Sequence, residues 1–339
     1  MLLSDLVDEY VTAVKNNTYS PHTVRGRTRV ARTFLAQVGN IQVGHITERH
    51  VAGYFAARQG SGVQPQSLNL ELSILRDLWR FAIRRKAARA GSDPFAERRP
   101  FRVIPKPRLR IPPAEFPRLL DAATHPRDRM VVALGLYCLL RQGEITALRI
   151  QDVDLANGYI HAVITKSSKI DDMPISEELD GELRRWLTWY TQHVGAPLNP
   201  NWYLVPAKTP PRAVGKALLD PDLAALRPAT RMTNPERAIH RAMAAAGYDL
   251  RADDGSSRRE GVHTLRRSSA RALFDTLSEQ GHDEALRIVQ ATLHHASVVV
   301  TEGYIGVEID KRKRDGIIKG KKMFPVNREN VIPLKQKEA

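Results

Sequence analysis

The chain has 339 residues, with 52 Lys and Arg against 37 Asp and Glu, a net charge of +15, and 42% hydrophobic residues. That length suits two domains of ordinary size, and the apolar content excludes wholesale disorder. The basic excess calls for a polyanionic partner. Because the basic residues are spread along the chain with no long amphipathic anchor, nucleic acid is favoured over a membrane surface.

The first residues, Met1 to Asp5, have no basic flank and no long apolar stretch, so no signal peptide is expected. Leu2, Leu3, Leu6, Val7, Tyr10, Val11 and Val14 recur at helical spacing. Ser20-Pro21 opens a second helix, with a capping residue ahead of the residue favoured at the first helical position. A third helix starts near Thr47, and a fourth runs from about Gln66 to Lys86 with Leu68, Leu72, Leu75 and Trp79 on its apolar side. On that helix Arg76, Arg80 and Arg84 stand four residues apart, and Arg25, Arg29 and Arg32 repeat the device on the second. One such stripe is ordinarily a solvated face; two, with few carboxylates near them in sequence, point to a DNA-facing surface.

Residues 1–95 thus read as a helical domain. A linker over residues 96–112 follows, carrying Arg98, Arg99, Arg102, Lys106, Arg108 and Arg110 among prolines that no helix interior accepts; it reads as an extended strap along phosphates. From Pro113 the pattern becomes mixed. Met130 to Arg149 reads as a strongly apolar helix whose longest apolar run, around Met130 to Leu140, is too short to cross a bilayer, and its Cys138 reads as a small core residue. As the one cysteine in the chain it can form no internal disulfide, in keeping with a reducing, cytoplasmic compartment.

Gly158 to Thr165 alternates and is β-branched, and Asp172 to Ser176 returns after a short turn, which makes a hairpin. The proline-rich stretch from Pro197 to Pro228 reads as irregular structure covering the core. His263 to Gln280 reads as a helix with Gly281 as its C-cap, and Asp283 to His294 as another. The end of the chain opens with a basic helix candidate, Asp310 to Lys322, and finishes polar. The fold class is mainly α with a small β-sheet.

Arg141 follows a long apolar run, where a guanidinium is costly to bury unless it meets an anion; a salt bridge to Glu144, one turn on, is an equal reading of that segment alone. His263 and Arg266 share a helix face, and His294-His295 precede Tyr304, His295 by nine residues. Each of these is weak evidence alone, and neighbouring histidines make a poor metal pair. In order, however, Arg141-Gln-Gly-Glu144, a hairpin lysine, His263-Thr-Leu-Arg266, Leu293-His-His295 and Tyr304 resemble the tyrosine recombinase (phage integrase) family, whose pattern is Arg-x-x-Glu, Lys, His-x-Leu-Arg, Leu-Gly-His and Tyr. The resemblance covers residues 113–305 by motif, and the helices before them are similar to the family's SAM-like core-binding domain.

The resemblance implies a site-specific recombinase that cuts and rejoins duplex DNA through a 3′-phosphotyrosyl bond, as in DNA integration and excision. Tyr304 is then the nucleophile, a phenol whose ordinary pKa near 10 makes it weak at neutral pH. Arg141, Arg266 and His295 serve the non-bridging phosphate oxygens, Glu144 supports Arg141, and His263 handles the tyrosine proton. The leaving 5′-oxygen takes its proton from Lys166 or Lys169, with Lys166 preferred because the family places its acid at the first lysine, entering the turn. No cofactor or metal is implied. The implied partners are double-stranded DNA at specific sites and further copies of the chain: a monomer or dimer on one site, a homotetramer in synapsis. Residues 306–339 would supply the contact between subunits, with Ile317, Ile318, Met323 and Phe324 available to dock. The expected setting is the nucleoid of a bacterial host cell.

This sequence departs from the family pattern at two glycines. His294 replaces the glycine of Leu-Gly-His, and Leu139 stands where a glycine usually precedes the first arginine by two residues. The gap from Lys166 to His263 is longer than in compact relatives, so residues 197–235 read as an elaboration. The chain begins almost at the first helix, which leaves no room for a separate arm-site-binding domain and points to a simple integrase at short sites. A type IB topoisomerase and a non-catalytic DNA-binding regulator on the same fold are the competing readings.

Overall fold

The computed structural model describes residues 1–104, 108–164, 169–209, 213–214, 217–218, 225–248, 250, 260–279 and 281–306. Two compact units divide between Pro107 and Arg108. The preferred lysine, Lys166, and the basic tail from residue 307 onward lie outside the described residues.

The first unit is built on four helices, α1 (Leu3–Lys15), α2 (Pro21–Val38), α3 (Glu48–Gly60) and α4 (Pro65–Arg84). Leu3, Leu6, Val7, Tyr10, Val11 and Val14 of α1 are buried, whereas Leu2 precedes the helix and is exposed, and Ser20 Oγ accepts the Thr23 N–H at 3.2 Å, which caps α2. Leu68, Leu72, Leu75 and Trp79 face inward from α4 and meet Phe34, Tyr54 and Phe55. Glu71 is buried in the same core. Burial alone would raise its pKa, but it falls, because Arg58 donates at 3.0 and 2.7 Å and Tyr54 at 2.9 Å.

In the second unit, α5 (Phe116–Asp121) and α6 (Pro126–Tyr137) lead into a four-residue turn, α7 (Gln142–Ile145). A three-stranded antiparallel sheet follows, β1 (Val153–Asp154), β2 (Tyr159–Ile164) and β3 (Lys169–Pro174), with Ala162 opposite Asp171 and Ile164 opposite Lys169. The chain continues through α8 (Glu177–Val194), β4 (Pro206–Lys208), β5 (Ala213–Val214), β6 (Ala217–Leu218), β7 (Leu226–Arg231) and α9 (Glu236–Ala245). It ends in α10 (Val262–Leu277), α11 (His282–Leu293) and α12 (Val298–Ile305). Helix α6 is the axis of the core, with Val131, Val132, Ala133 and Leu134 fully buried. Gly135 lets α10 approach it: a Cβ there would stand 2.8 Å from Leu265 Cδ1.

The structure corrects several expectations. Met130 to Arg149 is not one helix: α6 stops at Tyr137, Leu139 turns left-handed at φ +50°, and Arg141 becomes the residue capping α7. Periodicity is blind to this break because its residues are as apolar as the helix before them. Pro197 to Pro228 is not wholly irregular, since β4 pairs with β7. Gly281 does not end α10, which is capped by Ser278; it starts α11 instead. Tyr304, which local patterning assigned to no element, lies on α12.

Candidate active site

Arg141 enters the site as the N-cap of α7. Its backbone N–H donates to Glu144 Oε2 at 2.7 Å, and its guanidinium reaches Glu144 Oε1 at 3.1 Å and the Leu293 carbonyl at 3.0 Å. Glu144 is buried; Arg141's hydrogen bonds and charge overcome the effect of burial and hold its carboxyl below the usual range. Arg266, on α10, is 1% exposed. It donates to the Leu139 carbonyl and, at 2.6 Å, to the same Leu293 carbonyl, with Glu144 Oε2 at 3.8 Å. Burial, then the neighbouring charge of Arg141, lowers its pKa to about 10. Two guanidiniums crowded into a partly dry site with one carboxylate between them leave a surplus of positive charge suited to an anion.

Tyr304 lies beside this pair. Its hydroxyl donates to the His263 carbonyl at 3.3 Å, and its ring meets the His295 ring edge-on with centroids 5.1 Å apart. Burial raises the phenol's pKa, while the charges of Arg266, Arg267 and Arg141 pull it back. His295 Nδ1 is 3.1 Å from Thr301 Oγ1, and His263 is exposed at the start of α10. Arg141, Glu144, His263, Arg266, His295 and Tyr304 are therefore gathered in one place. Of the two lysines, Lys166 lies outside the described residues, and Lys169 sits at the start of β3.

The two missing glycines are explained by backbone geometry. Leu139 and His294 have φ of +50° and +52°, the left-handed conformation that glycine adopts without strain. The turns survive because each side chain is held: Leu139 is buried against α10 to α12, and His294 Nε2 donates to Asp171 on β3 at 2.6 Å.

Four further arginines tie down elements around the site; Arg231, Arg267 and Arg271 escaped sequence reasoning, and Arg110, expected on phosphates as part of the linker, is bonded to the end of α12. Arg231, from the supposed elaboration, donates to the Gly143 carbonyl at 2.7 Å and to Thr146 Oγ1 at 2.8 Å, closing the end of α7. Arg110 donates to the Ile305 carbonyl at 2.9 Å and Arg271 to that of Gly306 at 3.2 Å, so both hold the C-terminal end of α12. Arg267 donates to the Leu109 carbonyl at 2.7 Å. Of the three that were missed, only Arg267, adjacent to Arg266, carried a local signal.

In the first unit, Arg25, Arg29, Arg32, Arg80 and Arg84 are exposed. Arg76 is not a free member of the stripe: it is half-buried and donates to the carbonyls of Phe95 at 3.2 Å and Arg98 at 2.6 Å. Arg29 and Arg80 also have carboxylates nearby, Glu71 at 3.8 Å and Asp77 at 3.7 Å.

The family model described as "Phage integrase family" matches residues 110–310, and "Phage integrase, N-terminal SAM-like domain" matches residues 7–86. The chain belongs to the phage integrase family. Tyrosine recombinase XerA of Thermococcus kodakarensis is 32% identical over 191 residues, 54% of this chain and 62% of that protein. Tyrosine recombinase XerC of Mycobacterium tuberculosis is 27% identical over 321 residues, 90% and 94% of the two chains. Among solved structures, a lambda integrase dimer bound to a COC′ core site superposes with a TM-score of 0.67 at 17% identity, covering 90% of this chain and 95% of the other. A lambda integrase tetramer bound to a Holliday junction gives 0.63 at 18% identity, covering 88% and 78%. As a phage integrase family member the chain has the helical N-terminal unit and the mainly helical second unit with small sheets. Among the described residues no helix is long and apolar enough to cross a membrane.

Proposed function

We propose that this chain is a site-specific DNA recombinase that cuts and rejoins duplex DNA through a 3′-phosphotyrosyl bond on Tyr304. The observation that carries the reading is the convergence of Arg141 and Arg266 on the Leu293 carbonyl beside the Tyr304 phenol. Their remaining donors suit the two non-bridging oxygens of a scissile phosphate, whose negative charge grows as the phosphorus becomes five-coordinate. His295 adds a donor to the same group.

Tyr304 Oη attacks phosphorus and loses its proton to His263, while the leaving 5′-oxygen gains one from Lys166, which lies between β2 and β3 in sequence. One P–O bond breaks as another forms, so the phosphotyrosyl bond stores the energy for rejoining. Attack by a 5′-hydroxyl of a second strand reverses the step and exchanges the strands. The exposed arginines of α2 and α4 hold flanking duplex phosphates, and basic residues of the linker add to that grip. The chain works as a monomer or dimer on one site and as a homotetramer in synapsis, with residues 306–339 joining subunits, in the cytoplasm of a bacterial host.

The test is to incubate the protein with DNA from its own genetic neighbourhood and map the covalent 3′ junction. Tyr304→Phe should give no adduct while retaining site binding within a few-fold. An adduct that persists in Tyr304→Phe removes the nucleophile assignment. Relaxation of supercoils without exchange between two such sites would instead make the chain a topoisomerase.

A further inference from the structure

The hairpin lysines of the sequence pattern lie between or at the facing ends of β2 and β3, which pair as a ribbon, and a general acid must be held within hydrogen-bond reach of the leaving oxygen. Opposite Asp171 on β2 lies Ala162, which is fully buried, so Asp171 belongs to the inward side of the ribbon, two residues from Lys169. From there its Oδ2 meets His294 Nε2 at 2.6 Å. His294 stands between Leu293, whose carbonyl takes both guanidiniums, and His295, which packs on Tyr304. The pair thus joins the lysine-bearing ribbon to the segment that aligns the phosphate-binding arginines, across 123 residues of sequence.

The cost of this arrangement is visible in the backbone. His294 adopts a left-handed conformation that glycine takes freely, and a glycine here could make no such bond. Its side chain is 21% exposed and that of Asp171 46%, so the contact is reachable by water but not open to it on all sides.

We propose that Asp171 and His294 form a latch that ties β3, next to the hairpin lysines in sequence, to the turn that aligns the phosphate-binding arginines, and that both are positioning residues for leaving-group protonation. The proposal rests on the reading of a hairpin lysine as the acid.

A bridging sulfur in place of the leaving 5′-oxygen separates the possibilities, because a thiolate departs without a proton. The probes are nicked duplexes carrying the cleavage site mapped through the Tyr304 adduct, with either oxygen or sulfur at the scissile position, in single turnover with the full-length protein. Asp171→Ala and His294→Gly should cleave the oxygen duplex at least roughly 10-fold more slowly, yet cleave the sulfur duplex at the wild-type rate. Asp171→Asn, which keeps an acceptor oxygen for His294, should recover most of the rate on oxygen. Equal slowing on both duplexes, or no slowing at all, overturns the latch. Lys166→Ala and Lys169→Ala serve as references. If one of them is rescued by sulfur and the latch variants are not, the latch alone fails; if neither is rescued, the lysine reading fails and the latch with it.

Discussion

Arg141 and Arg266 donate to one carbonyl oxygen, that of Leu293, at 3.0 and 2.6 Å. The shared acceptor sets the two forks side by side, although one residue caps α7 and the other lies on α10. Each guanidinium presents a rigid pair of donors that an ammonium cannot copy. Arg141→Lys and Arg266→Lys keep the charge and lose the fork. Each should slow covalent attachment to DNA by roughly 100-fold or more, read from adduct formation in single turnover.

Glu144 is the carboxylate between these arginines, with its side chain fully buried. Glu144→Gln leaves two guanidiniums crowded together with no counter-charge. Stability to urea should fall by roughly 3 kcal/mol, and added duplex DNA should restore more melting temperature in the variant than in the wild type.

Tyr304 has its pKa raised above the ordinary 10 by burial, despite three nearby arginines. A raised pKa means that the folded state prefers the protonated phenol. That contribution to stability is full below about pH 10 and is lost as pH climbs through the higher folded value. Ultraviolet titration of wild type minus Tyr304→Phe should show no tyrosinate component with a midpoint at or below 10. Such a component would place the phenol in water or under stronger control by the arginines.

Leu139 combines a left-handed backbone with a buried side chain. Removing the side chain should cost roughly 2–4 kcal/mol in either small variant. The order of the two variants then reports the backbone alone. Leu139→Gly should be more stable than Leu139→Ala by about 1 kcal/mol, the reverse of their order in a helix. Urea denaturation of both proteins decides it.

The exposed arginines and Arg76 should part company in DNA binding. Arg25→Ala or Arg32→Ala should weaken binding across sequences and lower the salt slope by about 1 each. Arg76→Ala breaks hydrogen bonds to the Phe95 and Arg98 carbonyls, so its first effect should be a lower melting temperature of the N-terminal unit. Binding measured against salt concentration, beside thermal unfolding, separates them.

Much of this site was legible in the chain because the chemistry needs particular side chains in order. The His263–Arg266 spacing rests on helix geometry that local sequence dictates, and Tyr304 was marked by its order, nine residues past His295, in the family pattern. The helices α1, α2 and α4 followed from periodicity and caps for the same reason. Tertiary structure decided the rest. The left-handed turn at Leu139 is stabilised by residues far along the chain, its carbonyl serving Arg266 across 127 positions. The grip of Arg110 on the end of α12 spans 195 positions, and that of Arg231 on α7 spans 85 or more. Hydrogen bonds to backbone carbonyls leave no trace in residue type at the accepting end, since every residue carries the same group. Sequence could therefore name the side chains that act on a phosphate, and only the folded chain could show what holds them still.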